Sequence, residues 1–417
     1  MRGVLRALGL GAVVVALGGC WPAPGAGPDR RSHNPFESKI TVDTVATLAP
    51  LWTATVDGSR TGPPVVSTRG VHVTDGEAVY GFDVRTGTRL WKNPPTPEAF
   101  EGTYQPVVVG DRLMVGHGDS GGRIVNTRVL DPATGLPTGE LSRAGQVDGV
   151  RGSTVLLRTS VYGSLTPAAV TFIVVDADDG TLRNFGGIEV HDDIFDTGLP
   201  LTLGRQRLYH AGPGLPGPGA PPPTDWTIGV RAFPLDPPAE ASCPPLNTCP
   251  LWATALDGSP TGPPVLAADE STVYAGTTAG RVYALDAADG HVLWQAQLGS
   301  AVTAAPALAD GTLFVPVADG HLVALDAAGC GAATCAPTWT ATIGGAGQQP
   351  AVAGGVVFVG TAGGTVDAVV AAGCGHPTCP PIWTHDVGAP VTGAPAVSNG
   401  RLYVGTQAGH LFAFAPS

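Results

Sequence analysis

The side chains best suited to chemistry cluster in the first half of the chain. Arg60 comes first, then Glu98, Phe100, Glu101 and Tyr104, then Asp148 and Arg151, and finally His191, Asp192, Asp193 and Asp196. The last group has the oxygen donors that a hard cation such as Ca²⁺ prefers, and one of its carboxylates could serve as a general base. Matching positions later in the chain carry small residues instead: Ser300-Ala301-Val302-Thr303, Gly344-Gly345-Ala346-Gly347 and Gly388-Ala389-Pro390-Val391. The contrast marks Arg60, Glu98, Phe100, Glu101, Tyr104, Arg151, His191, Asp192, Asp193 and Asp196 as a candidate binding face, with solvated surface charge as the plainer reading. No catalytic or metal-ligating residue is assigned. The chain has no His-Glu-x-x-His and no glycine-rich phosphate loop opening a helix, and its histidines are scattered.

The elements that position these residues are set by a repeat. The segment 276–286 ends in Tyr283-Ala284-Leu285-Asp286 and is followed by Trp294; related copies occupy 316–326 with Trp339, 360–370 with Trp383, and 405–415. Each is preceded by a proline and a short apolar run, as in Pro264-Val265-Leu266 and Pro395-Ala396-Val397. Runs of four to six β-branched or aromatic residues between Gly, Asp and Pro predict strands rather than helices. The series Trp52, Trp91, Leu141, Phe185, Trp252, Trp294, Trp339 and Trp383 marks eight units, spaced by 39, 50, 44, 67, 42, 45 and 44 residues. The long unit predicts an insertion at about 212–224. The last unit stops without its Trp-bearing strand, while the segment around Trp52 lacks preceding strands. Pairing the two closes a ring and removes exposed sheet edges. The expected fold is therefore all-β: an eight-bladed β-propeller of four-stranded antiparallel blades, spanning 41–417.

The motif Tyr283-Ala284-Leu285-Asp286-Ala287-Ala288-Asp289-Gly290 with Trp294 resembles the repeats of pyrroloquinoline-quinone (PQQ)-type propellers. That family includes quinoprotein dehydrogenases and the BamB-type lipoproteins of outer-membrane barrel assembly. The resemblance implies that the Trp docks between blades and that Asp83, Asp131, Asp176, Asp286 and Asp326 cap tight turns. It leaves function open. A dehydrogenase of this family would hold PQQ against a disulfide of adjacent cysteines and bind Ca²⁺ through carboxylate and amide oxygens. This chain has no Cys-Cys pair, so a binding or scaffold protein without a cofactor is expected, with a PQQ/Ca²⁺-dependent dehydrogenase as the alternative.

The N-terminus predicts export. Arg2 and Arg6 precede an apolar run over 7–17 that is too short to span a bilayer, and Leu17-Gly18-Gly19-Cys20 resembles a lipoprotein lipobox. Residues 1–19 are expected as a signal peptide, Cys20 as the lipidation site, and 20–40, rich in Pro and Gly, as a tether. The remaining cysteines form the local pairs Cys243-Cys249, Cys330-Cys335 and Cys374-Cys379, which an exported chain would oxidise. A zinc site would need pairs from separate repeats to meet. The formal charge of −12 and the lack of any Lys/Arg block exclude nucleic acid as an expected partner. The expectation is a monomer on the outer side of a membrane, or on the inner leaflet of an outer membrane where the cell has one, with a protein, peptide or envelope component as partner.

Overall fold

The computed structural model describes residues 21–93, 105–118, 124–141, 145–161, 169–176, 182–189, 199–214, 227–236 and 249–417. These form eight four-stranded antiparallel sheets, two of them extended by a fifth strand that pairs in parallel. The inner strands of blades one to eight are Val65–Val66, Val107–Val109, Gln146–Arg151, Thr202–Leu203, Val265–Leu266, Ala307–Ala309, Ala351–Ala353 and Ala396–Ser398. The outer strands of blades one to seven carry the marker positions Trp91, Leu141, Phe185, Trp252, Trp294, Trp339 and Trp383. The eighth is completed by Leu48–Thr55, which pairs antiparallel with His410–Pro416, so the chain's two ends close one blade as expected. No helix among the described residues is long and apolar enough to cross a membrane.

Neighbouring blades are joined by the marker tryptophans. The indole N–H of Trp52 donates to Val84 O at 3.2 Å, Trp91 to Pro132 O at 3.0 Å, Trp252 to Ala287 O at 3.1 Å, and Trp294 to Ala327 O at 3.2 Å. Each acceptor lies in the turn between the third and outer strands of the next blade. The same turns are capped as the repeat implies: Asp83, Asp131, Asp286 and Asp326 each accept from the backbone N–H two residues on, at 2.7–3.0 Å. The Asp176 carboxylate accepts from the Ser153 hydroxyl at 2.8 Å, and the turn that follows it lies outside the described residues.

Cys330–Cys335 and Cys374–Cys379 are disulfides, and Cys249 is also disulfide-bonded; Cys243 lies outside the described residues. The two described loops have a common role. Thr334 bridges Gln295 on the outer strand of blade five, and Thr378–Cys379 pairs parallel with Trp339–Thr342 on blade six. Each loop covers the free edge of the preceding blade, where an unpaired strand would otherwise be exposed.

Residues 21–40 are not a free tether. Trp21 exchanges two backbone hydrogen bonds with Val66 on the inner strand of blade one; then Val108 N donates to Pro22 O, Leu203 N to Pro28 O, Leu266 N to Asp29 O, Leu308 N to Arg31 O and Val352 N to Ser32 O. The Asn34 amide donates to Val397 O at 2.9 Å, and the Arg30 guanidinium reaches Asp148 O. One segment of 14 residues, 21–34, thus meets the inner strand of every blade and lies across the propeller axis. Ala26, Arg30 and Ser32 adopt positive φ of 65°, 60° and 56°, conformations that non-glycine residues hold only when packing fixes them. Proline and glycine serve sharp turns inside a packed plug here, and their composition alone does not distinguish that from a linker. The expected insertion also shifts: Gly212 belongs to the strand Arg207–Gly214, and 215–226 lie outside the described residues.

Candidate functional site

The propeller has two unlike faces. One carries the turns from inner to second strand and from third to outer strand; the other carries the hairpins from second to third strand and the connections from each outer strand to the next inner strand. Small residues on the second face answer to close approach. In blades five, seven and eight a backbone carbonyl at the end of the second strand accepts from the following connection: Thr277 O from Val302 N, Thr361 O from Val391 N and Thr406 O from Thr61 N. A Cβ on Gly360 would stand 2.3 Å from Val391, and one on Gly262 2.5 Å from the Ala305 backbone. In these blades, packing against the neighbouring blade accounts for the small residues.

Arg60 lies on this connection face, in the link from the outer strand of blade eight to blade one. Beside it Asp57 accepts from Arg89 and Lys92, both at 2.7 Å, and these hydrogen bonds hold its carboxyl below the usual range. The Tyr80 hydroxyl donates to Asp75 at 2.5 Å and accepts from Asp57 N at 3.2 Å. Burial and the Asp75 bond push its phenol well above the ordinary value. Asp57, Arg89 and Lys92 form a compact charged cluster on this face, and Asp257 pairs with Arg281 at 3.4 Å in the equivalent place on blade five.

Arg151 is a correction. Only residues 142–145 link Leu141 to the next strand, so Gln146–Arg151 is itself the inner strand of blade three and Arg151 sits at its far end. There it donates to Leu203 O at 3.1 Å and pairs with Glu270 at 3.4 Å, on the face opposite Arg60. Glu98, Phe100, Glu101, Tyr104, His191, Asp192, Asp193 and Asp196 lie outside the described residues, as does Cys20. The strands flanking 94–106 and 190–201 end and begin on the connection face.

Between blades three and four lies a polar group of which the sequence pattern indicated only Asp148, which belongs to the inner strand Gln146–Arg151 and not to a link. Asp148 accepts from Arg158 at 2.9 Å and from Leu201 N at 2.9 Å, with the buried Arg30 guanidinium against its backbone carbonyl. His210 and Arg231 face the same interface and are fully buried. Both His210 ring nitrogens lack a hydrogen-bond partner, and burial together with Arg231 and Arg158 lowers its pKa to about 3. Hydrophobic periodicity concealed these residues, because they replace core positions in buried strands.

A family model described as outer membrane protein assembly factor BamB, of PQQ-repeat type, matches residues 41–184, 249–331 and 328–417. The chain belongs to the PQQ-repeat propeller family. Similar solved structures include the quinohemoprotein alcohol dehydrogenase of Comamonas testosteroni, at 15% identity and TM-score 0.66, covering 95% of this chain and 80% of that one. BamB of Moraxella catarrhalis aligns at 16% identity and TM-score 0.57, covering 88% and 99%. A europium-containing methanol dehydrogenase aligns at 14% identity and TM-score 0.68, covering 96% and 99%. At these identities the likeness among PQQ-repeat propellers establishes the fold and not the activity. No curated protein matches the chain.

The described residues around the axis do not fit a quinone and Ca²⁺. Asp148, a buried carboxylate of an inner strand, is engaged by Arg158 and flanked by Arg30, Arg231 and His210, a cationic rather than a cation-binding set. The cysteines that could contact a cofactor close rim loops instead. Asp286, Asp289 and His291 converge on an exposed turn of blade five, far from the channel, where Asp286 already caps the turn. Gly118-Asp119-Ser120-Gly121-Gly122 has the Gly-x-Ser-x-Gly spacing of a hydrolase nucleophile turn. It joins the antiparallel strands Arg112–Gly118 and Ile124–Leu130, not the strand and helix that such a turn requires.

Proposed function

We propose that this propeller is an extracytoplasmic, lipid-anchored binding protein that uses its connection face to recognise a protein, peptide or envelope component. The supporting observation is the N-terminal segment: with 21–34 bonded to all eight inner strands across the axis, recognition falls to the rims. On the connection face Asp57, paired with Arg89 and Lys92, shares its link with Arg60, while the described links after blades five and seven are small and locked. The sequence adds Glu98, Phe100, Glu101 and Tyr104 to the next link, and His191, Asp192, Asp193 and Asp196 to the link after blade three. Rim disulfides fit an oxidising compartment, and Leu17-Gly18-Gly19-Cys20 fits acylation of Cys20.

The test is recovery of envelope proteins on the full-length protein and on a triple variant with Arg60, Glu101 and Asp193 changed to Ala. Arg85→Ala, exposed on the opposite rim, serves as control. Loss of a partner in the triple variant alone supports the assignment, and equal recovery by all three proteins removes it.

A further inference from the structure

The N-terminal plug fixes where any anchor at Cys20 must emerge. Trp21 is 1% exposed and is bonded to Val66, two residues before the inner-to-second-strand turn of blade one. It lines a shallow recess with Phe36 and with Gly110, which belongs to the equivalent turn of blade two. The Cα of Cys20 is about 3.8 Å from that of Trp21. Trp21, the first described residue, therefore stands at the turn face, and only one peptide unit separates it from Cys20.

The same face carries the exposed apolar side chains. Among the described residues nine large hydrophobics are exposed, and every one lies toward this end of the propeller. Phe36, 60% exposed, belongs to the N-terminal segment; Leu136, 65% exposed, ends the third-to-outer turn of blade two. Leu90 and Leu293 follow the same turn in blades one and five, and each is the extra residue at a register shift just before its Trp. Leu51 and Leu251 occupy the residue before Trp52 and Trp252. The bulge turns the Trp inward against the next blade and leaves its neighbour facing out.

We propose that the turn face of the propeller lies directly on the lipid surface that holds the acylated Cys20, with Phe36, Leu90, Leu136 and Leu293 touching the interface. This rests on the lipid-anchor reading above. It deepens that reading by assigning one face to the membrane and leaving the connection face, with Arg60, pointing away. Attraction comes from the acyl chains and the apolar rim rather than from charge, since turn carboxylates such as Asp83 and Asp286 share this rim and the chain is acidic.

The mature chain, coupled through its Cys20 thiol to maleimide-bearing lipid in phosphatidylethanolamine/phosphatidylglycerol vesicles, tests the orientation whether or not the natural Cys20 is acylated. Mass analysis of the native N-terminal peptide tests acylation separately. Hydroxyl-radical footprinting should show severalfold less oxidation of Phe36, Leu90, Leu136 and Leu293 on vesicles than in solution. His321 and Pro390, on the connection side, should be unchanged. A variant with those four residues changed to Ser should keep its thermal stability and lose the difference between the faces. Protection on the connection side, equal protection of both faces, or an orientation unaffected by the four Ser substitutions would overturn the proposal.

Discussion

Trp252 and Gly290 belong to adjacent blades, yet a Cβ placed on Gly290 would stand 2.4 Å from the indole ring. The same relationship joins Trp52 to Gly87 and Trp91 to Gly135, and each of these glycines has φ near +70° to +78°. The turn glycine therefore serves twice: it adopts a left-handed conformation and clears space for the neighbouring blade's tryptophan. Gly290→Ala is expected to destabilise the protein by about 1–3 kcal/mol through overpacking and strain. Gly311→Ala, with φ +76° but nothing within 4 Å of the new Cβ, should cost less. Thermal unfolding of the two variants measures the difference, and equal losses would show that the clash contributes nothing.

Because the Trp recurs at six of the eight marker positions and the capping Asp at four described turns, the repeat was legible in the sequence. Recurrence of one steric solution, a Trp against the next blade's turn glycine as at Gly87, Gly135, Gly290, Gly329 and Gly373, leaves a recurring pattern. The N-terminal segment left no such trace: its partners, from Val66 to Val397, are spread along the whole chain, and its Pro and Gly resemble a linker's. Arg151 was placed on the wrong face for a local reason. A register shift between Val147 and Gly149 breaks the alternation that would have shown 146–151 as a strand. The Asp148, Arg158 and His210 group was hidden because long-range packing alone brings it together.

Trp21 should be essential to the plug. Trp21→Ala removes a fully buried ring from the mouth of the channel and is expected to cost about 3–5 kcal/mol. Its indole N–H has no acceptor, so Trp21→Phe, which keeps most of the volume, should be far milder. Urea unfolding distinguishes them. Similar stability for the wild type and the Ala variant would mean that 21–34 contribute little to closing the ring.

The rim disulfides should matter locally. Closing a loop as short as Cys330 to Cys335, five residues apart, is worth about 2 kcal/mol in the loop-entropy model. The loop also supplies Ala333 O to Gln295 N and takes Gln295 O through Cys335 N, both at 2.8–2.9 Å. Changing both cysteines to Ala should lower stability by about that amount and speed amide exchange at Gln295, where the covered edge would reopen. Unchanged exchange at Gln295 would show that the loop holds its place without the bond.

Acid should act through the buried imidazoles. His210 and His72 both fall to about 3 in the folded protein, against 6.5 for the free side chain, and burial is the main cause in each. The unfolded chain takes up a proton below 6.5 that the folded chain refuses until about 3, so it binds more protons throughout that window. Stability consequently falls as pH falls from 6.5 toward 3, by at most about 1.4 kcal/mol per pH unit for each histidine. His72 retains one hydrogen bond, between Nε2 and the Ser67 hydroxyl at 2.9 Å, whereas His210 has none and faces Arg231 and Arg158. His210→Phe should therefore flatten the acid side of the stability profile and leave the alkaline side, where imidazole is neutral in both states, with no change in slope. Urea midpoints at about pH 7.5 and about pH 4.5 provide the comparison. If the variant lost as much stability between them as the wild type, the proton uptake would have to belong to other groups.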